Sequence, residues 1–85
     1  MKSSPREVVI YSRPGCHLCD EAKEVIKRVA ARIPITLREV NIDNDSDTRA
    51  RFNEEIPVVF IDGKKAFKYR IEESELLRRL KSLPA

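Results

Sequence analysis

The sequence lacks the features that define a large, secreted or membrane-spanning protein. Its 85 residues include no tryptophan, two glycines and only two cysteines. A chain of this length builds one small core, so we expect a single domain. No apolar run approaches the roughly 18 residues that cross a bilayer, which excludes a spanning segment. The apolar run after residues 1–5 is too short for a secretory signal, so we expect a cytoplasmic protein.

Charge of one sign is not gathered into a block along the chain. Seventeen lysines and arginines are interspersed with 14 acidic residues, for a net charge of +3. The sequence has no run of five basic residues and no aromatic motif of the RNA-binding type, so we do not expect nucleic-acid binding. The small positive excess favours acidic ligands or partners instead.

The two cysteines, Cys16 and Cys19, stand close together. A disulfide between them closes a four-residue loop, the kind of bridge that constrains an unfolded chain least. The staples of small secreted proteins join distant segments instead. The pair therefore indicates chemistry at one place, either as a redox centre or as part of a metal site.

Hydrophobic periodicity gives the element order βαβαββα. Two continuous apolar runs, residues 8–11 and 58–61, are typical of strands buried on both faces of a sheet. Asp62-Gly63 predicts a tight hairpin into a strand over residues 65–69, whose lysines suit a sheet edge. We expect an α/β fold with a four-stranded mixed sheet and helices on both faces. The two strand-helix-strand crossovers predict parallel neighbours, and the hairpin adds an antiparallel edge.

The first helix has the clearest amphipathic pattern, and Pro34 ends it. Its apolar stripe comprises Leu18, Ala22, Val25, Ile26, Val29, Ala30 and Ile33. The alternation of the strand after Pro34 breaks near Glu39, where we expect a bulge or strand end. Two further helices are predicted, one ending near Phe52 and one carried by leucines up to Leu83. Residues 1–5 are interpreted as a disordered tail, which leaves one domain over residues 6–85.

The motif Cys16-x-x-Cys19 falls where the first strand turns into the long helix. The unpaired N–H groups at a helix start and its positive dipole end stabilise a thiolate, so we expect the pKa of Cys16 to be lowered. Cys19 follows on the same helix face, within reach of a mixed disulfide on Cys16. This arrangement carries out two-step thiol–disulfide exchange.

Metal binding is the competing interpretation of the same motif. A closed mononuclear zinc site needs four ligands. The chain has no third cysteine, and its single histidine, His17, lies inside the motif. Such a site would need carboxylates or a second subunit. Copper carriers also place a C-x-x-C between the first strand and helix, but their order is βαββαβ, whereas a C-x-x-C in a βαβ context favours redox chemistry.

Two segments resemble the glutaredoxin-like members of the thioredoxin superfamily. They are residues 9–19, VIYSRPGCHLC, and residues 56–64, IPVVFIDGK. The resemblance extends over about residues 7–83, and the element order agrees with it. It implies a thioredoxin-like fold of glutaredoxin type and a dithiol–disulfide oxidoreductase activity.

The resemblance also implies roles for individual residues. Cys16 would be the catalytic nucleophile and Cys19 the resolving thiol. Pro57 would be cis and pack beside the cysteines, so that the backbone of Ile56 offers strand-like hydrogen bonds to an extended substrate. Arg13 stands where glutaredoxins usually carry a lysine that contacts the glutathione carboxylate, although an ordinary surface arginine fits the sequence equally well.

The sequence departs from the glutaredoxin pattern at several positions. His17 and Leu18 stand between the cysteines, where glutaredoxins usually have proline and tyrosine. A protonated His17 would help to hold Cys16 as a thiolate, while Leu18 fits the core stripe. The paired glycines expected before the last helix are missing. Glu72 and Glu73 would repel an anionic peptide if they faced the site.

The implied partners are disulfide-containing proteins or small thiols, with glutathione or a thioredoxin-reductase-type enzyme as the reductant. No cofactor is required, and glutathione is a candidate co-substrate. We expect a monomer that binds neither nucleic acid nor membranes and that serves electron transport in cell redox homeostasis. Because some glutaredoxins hold an iron–sulfur cluster between two subunits, iron–sulfur or other metal binding through the cysteine pair remains the alternative.

Overall fold

The computed structural model describes residues 5–81, which form four strands, three α-helices and one 3₁₀ turn. The strands are β1 (Arg6–Ser12), β2 (Ile35–Asn41), β3 (Val58–Ile61) and β4 (Lys64–Lys68). The helices are α1 (His17–Ala30), α2 (Ser46–Phe52) and α3 (Glu73–Lys81), and the 3₁₀ turn is Ile42–Asn44. The predicted order βαβαββα is confirmed. The predicted tail lies outside the described residues except for the exposed Pro5, and so does Leu83.

The strands form one mixed sheet in the order β2-β1-β3-β4. β1 and β2 are parallel, as predicted, but β3 runs antiparallel to β1 and β4 runs antiparallel to β3. The prediction of parallel neighbours is therefore wrong for the second crossover. Seven helical residues span only about 10 Å, whereas a seven-residue strand spans about 23 Å. α2 is thus too short to return the chain along the sheet as α1 does.

The bulge predicted near Glu39 is absent. The register of β1 with β2 is unbroken from Arg6 opposite Ile35 to Ser12 opposite Asn41. The irregular pairing lies instead between β3 and β4, at Val59/Phe60. Residues 36–39 of β2 are exposed at the edge of the sheet. Burial therefore imposes no alternation on them, and their polarity pattern does not report the register.

The β3–β4 hairpin turns at Asp62 and Gly63, whose φ angles are 51° and 86°. Two successive positive φ values characterise the tight turn that the Asp-Gly pair predicts. β4 is an edge strand, as its lysines indicated. The strand ends at Lys68, one residue before the predicted end, and Tyr69 leaves the sheet with a φ of 70°.

Two apolar clusters cover the two faces of the sheet, which confirms helices on both faces. The larger cluster joins the sheet to α1 and α3 and includes Val8, Ile10, Ile26, Val29, Val59, Leu76 and Leu80. The smaller one lies under α2 and contains Ile42, Phe52 and Val58, with Tyr11, Ile56 and Phe60 packed against it. Ala30, assigned to the apolar stripe from sequence, is exposed at the end of α1. No helix within residues 5–81 is long and apolar enough to cross a membrane.

Candidate active site

Cys16 is the N-cap of α1, as the motif predicted. Its backbone is extended, with φ −91° and ψ 109°, and its Sγ accepts the backbone N–H of Cys19 at 3.2 Å. The chain reaches Cys16 from β1 through a turn in which Gly15 has a φ of 79°, a conformation that glycine adopts without steric cost. The Sγ therefore lies at the positive end of the helix dipole, where negative charge on sulfur is stabilised.

The two sulfurs of the motif differ in their access to solvent. Cys19 is completely buried, whereas Cys16 is only half-buried. Their Cα atoms are 5.2 Å apart and the sulfurs lie at disulfide-bonding distance. The geometry thus accommodates a disulfide, and the complete burial of Cys19 closes that residue to a second molecule.

Ile56 and Pro57 precede β3, and the peptide bond between them is cis, as the resemblance implied. Pro57 is buried and its carbonyl accepts the N–H of Tyr69 at 2.9 Å. Ile56 is half-buried and packs against the cluster under α2. The proposed contact between the Ile56 backbone and a substrate stays a prediction.

Arg13 is held by two neighbours close to α2. Its Nη2 donates to Asp43 Oδ1 at 2.9 Å and to Asn53 Oδ1 at 2.8 Å, and its Nε donates to Asp43 Oδ2 at 3.3 Å. The hydrogen bond with Asp43 raises the pKa of Arg13 and lowers the pKa of Asp43. These contacts fasten the loop before Cys16 to the segment around α2. Binding of a substrate carboxylate by Arg13 remains a prediction.

His17 is the first residue of α1, and its side chain is 86% exposed. Its Nε2 lies 2.9 Å from Glu21 Oε2, one helical turn away. Any positive charge on His17 is therefore partly offset by this carboxylate. The predicted electrostatic effect of His17 on Cys16 stays untested.

A small cavity of about 140 Å³ opens between the start of α1 and the segment after β4. Its lining includes Leu18, Glu21, Val25, Tyr69, Arg70 and Glu72. Leu18, expected in the core, is half-buried and lines this cavity. Tyr69, predicted as the last residue of the fourth strand, lies outside that strand and is 45% exposed. The exposure of Tyr69 follows from its positive φ just after β4, for which the sequence carried no signal. Glu72 lines the cavity, whereas Glu73 pairs with Arg28 at 2.9 Å. Repulsion of an anionic substrate by either carboxylate stays a prediction.

A polar network that sequence reasoning missed connects β1, β2 and α1. The buried Ser12 donates its hydroxyl hydrogen to Glu39 Oε2 at 3.0 Å, and Lys23 Nζ donates to the same oxygen at 2.9 Å. The hydrogen bond from Lys23 is the main cause of a lowered pKa for Glu39, and the reciprocal contact raises the pKa of Lys23. The network ties the last residue of β1 to α1, close to the motif. Only the strand register brings these three residues together.

The donors available for a metal ion are few in this region. Among residues 5–81, no group of three or more histidine, cysteine, aspartate or glutamate side chains is placed to hold a metal. The cysteine pair offers two thiolate ligands, whereas a closed zinc site takes four.

The fold is that of thioredoxin. A thioredoxin from Halobacterium salinarum superimposes with a TM-score of 0.66, covering 95% of this chain and 80% of that one at 14% identity. The protein Ne2328 from Nitrosomonas europaea, solved by NMR, superimposes with a TM-score of 0.83, covering 95% of this chain and 98% of the other at 26% identity.

Residues 7–81 match the family described as Glutaredoxin-like domain (DUF836), and the chain belongs to this family. It is also similar to the "Glutaredoxin-like protein YDR286C homolog" of Dictyostelium discoideum. The two are 37% identical over 79 residues, which cover 86% of this chain and 73% of that protein. The family confirms the resemblance drawn from residues 9–19 and 56–64.

Proposed function

We propose that the protein is a thiol–disulfide oxidoreductase that works through Cys16 and Cys19. The observation that carries the proposal is the difference in burial between the two cysteines at the start of α1. Cys16 is half-buried and its Sγ accepts a helix N–H, and the fully buried Cys19 lies within disulfide reach. A thiolate is the attacking species in exchange, and a helix N-terminus favours that form.

The reduction of a substrate disulfide takes two steps. The Cys16 thiolate attacks one substrate sulfur, forming a mixed disulfide and releasing the other substrate sulfur as a thiolate that takes up a proton. The Cys19 thiol then loses its proton and attacks Cys16 Sγ, which closes the Cys16–Cys19 disulfide and releases the second substrate thiol. Two electrons pass from the cysteine pair to the substrate, which is reduced while the protein is oxidised. The same steps in reverse oxidise a dithiol.

The oxidised pair requires a reductant before the next cycle. We propose glutathione as the co-substrate, or a thioredoxin-reductase-type enzyme in its place, and protein or small-molecule disulfides as the substrates. The chemistry needs no bound cofactor, because the two sulfurs carry both electrons. The Ile56 backbone beside cis Pro57 would hold an extended substrate, and Arg13 would contact a glutathione carboxylate after giving up part of its contact with Asp43 or Asn53.

The same chemistry supports a proposal for the cellular setting. An exchange pair turns over where glutathione or thioredoxin systems keep thiols reduced, as in the cytoplasm. We therefore propose a cytoplasmic role in electron transfer and redox homeostasis, acting as a monomer.

A redox titration in glutathione buffers with a mass readout tests the proposal. We expect the disulfide fraction to follow a two-electron curve, and Cys19→Ser to accumulate a mixed disulfide on Cys16. Cys16→Ser should lower the rate of disulfide reduction at least about a hundredfold, since it removes the nucleophile.

Two measurements supply the controls. Far-UV circular dichroism of both serine variants checks that the fold persists. Alkylation of reduced Cys16 against pH should show a midpoint below the ordinary cysteine value of about 8.5. If the wild-type protein reduces no disulfide with either reductant and Cys16 alkylates as an ordinary thiol, the proposal is wrong.

A further inference from the structure

A basic groove lies at the opposite end of the sheet from the cysteines. It has a volume of about 370 Å³ between α3 and the β3–β4 hairpin, and it includes the apolar residues Ile61 and Ala66. Five cations line it: Arg6, Lys64, Lys65, Arg78 and Arg79. No carboxylate of the described residues lines it. Arg6 opens β1 and Cys16 follows its far end, so roughly 20 Å of strand separates the two places.

Two of the arginines are held in place by contacts behind the groove. Arg6 bonds through Nε to Asp62 and donates from Nη1 to the carbonyl of Leu80 at 2.7 Å. Arg78 donates from Nη2 to Glu75 Oε1 at 2.7 Å. An arginine that is already ordered loses less conformational entropy when it binds a ligand.

The other three cations differ in their contacts. Arg79 lies over the ring of Phe67, with its Cζ 5.1 Å from the ring centroid. Lys65 pairs with Glu55 at 2.7 Å. Neither Lys64 nor Arg79 forms an ion pair within the part of the chain that the structure describes. The groove therefore combines ordered guanidinium groups with two cations, Lys64 and Arg79, that form no ion pair among the described residues. The charge of Arg79 also acts on Glu75, whose pKa is lowered mainly by its hydrogen bond with Arg78.

We propose that this groove binds a small ligand that carries two linked phosphoryl groups. Guanidinium groups match phosphate oxygens in geometry as well as in charge. The cations come from both walls, the hairpin and α3, so a ligand with negative charge at more than one position meets both. The volume falls within the range of small-molecule sites, about 300 to 1,000 Å³. Inorganic pyrophosphate and the diphosphate of a nucleotide share this chemistry.

Titration of the full chain with inorganic pyrophosphate tests the proposal by calorimetry and by NMR of the backbone amides. We expect the largest shifts at residues 64–66 and 78–79. Arg79→Gln should weaken the Kd at least about fivefold, because it removes a charge-assisted contact. Arg51→Gln is the matched control, since Arg51 also lies over a ring, Phe52 at 4.9 Å, but on the α2 side of the molecule. It should leave the Kd within about twofold, as expected for a screened distant charge.

Further variants and further ligands distinguish the possible results of the titration. Lys64→Gln, an exposed position outside the core, should weaken binding even if Arg79→Gln fails to fold. Tighter binding of ADP than of pyrophosphate would extend the site to a nucleotide, and equal binding would limit it to the diphosphate. Cys16→Ser should bind pyrophosphate like the wild type, so this result is independent of the redox proposal. Equal effects of Arg79→Gln and Arg51→Gln, shifts centred on residues 16–19, or sulfate binding as tightly as pyrophosphate would each overturn the inference.

Discussion

The two ends of the sheet use charge in different ways. At the cysteine end, Arg13 and Lys23 each donate to a carboxylate, and His17 lies against another. At the hairpin end, five cations line one groove, and two of them, Lys64 and Arg79, form no ion pair among the described residues. At the cysteine end Arg13 and Lys23 are both paired with carboxylates, whereas at the hairpin end two of the five cations form no ion pair within residues 5–81.

This difference in charge matters differently for the cysteine pair and for the groove. The N–H that donates to Cys16 Sγ and the dipole of α1 both favour negative charge on that sulfur, and neither depends on the net charge of side chains. Binding of an anion at the hairpin end, by contrast, depends on charge that is not already paired. The overall charge of +3 therefore says little about the cysteine pair.

The largest effect should come from removing packing at the cysteine end. Phe52 is 4% exposed and its ring lies 4.8 Å from that of Tyr11 and 6.0 Å from that of Phe60. Phe52→Ala should lower the free energy of unfolding by about 3 kcal/mol, because it leaves a cavity in the small cluster. Urea denaturation at pH 7 measures the change.

The comparison variant for Phe52→Ala lies at the other end. Arg79→Ala should cost less than about 1 kcal/mol, the usual range of a cation–π contact at the surface. An equal loss of stability in both variants would mean that the cations of the groove hold the fold together, and the contrast between the two ends would fail.

A smaller effect concerns the carboxylate between β2 and α1. The pKa of Glu39 is lowered in the folded protein, mainly by Lys23. This pair therefore stabilises the fold above the unfolded pKa near 4.5 and loses that contribution as the pH falls through the folded pKa. Stability measured from pH 7 to pH 3 should fall less in Glu39→Gln than in the wild type. The difference should stay below about 1 kcal/mol, since both side chains are partly exposed.

The contrasting substitution for Glu39→Gln is Glu24→Gln. Glu24 lies 3.9 Å from Lys27 on the exposed side of α1, and both side chains are about two-thirds exposed. Glu24→Gln should leave the pH profile of stability close to that of the wild type. A flattening as large as that of Glu39→Gln would show that general surface charge, rather than the network, causes the effect.

The smallest effect should come from His17. Its side chain is 86% exposed and lies against Glu21, so its charge is screened by water and offset by a carboxylate. His17→Asn should change the rate of disulfide exchange less than about threefold between pH 5 and 8. Stopped-flow measurement against one disulfide substrate measures this rate, with Glu21→Gln as the companion variant. A tenfold change would mean that side-chain charge, and not the backbone, controls Cys16.

Local patterns predicted much of the fold and the centre of the site. The spacing of Cys16 and Cys19 after an apolar strand placed the pair at a helix start, because three residues make nearly one helical turn. The tight turn at Asp62-Gly63 and the edge position of β4 could also be predicted from the sequence, since turn geometry and edge protection depend on neighbouring residues. The family resemblance added the cis bond before Pro57, which a single proline would not have predicted.

The sequence pattern could not predict contacts between segments that lie far apart along the chain. Ser12, Lys23 and Glu39 meet only because β1 and β2 pair in one particular register. The direction of β3 depended on how α2 returned the chain, and the periodicity of residues 58–61 is the same in either direction. Tyr69 looked like a strand residue because its backbone conformation, not its side chain, takes it out of β4.

The sequence by itself determined the element order and the position of the cysteine pair at the start of α1, because both depend on spacings shorter than a helix. The tertiary structure alone decided that Cys19 is the fully buried cysteine, that Arg13 bonds to Asp43, and that Arg6, from the first strand, joins cations of β4 and α3 in one groove. These features join residues that lie tens of positions apart. Their distances are set by strand order and helix packing, for which no local pattern carries information.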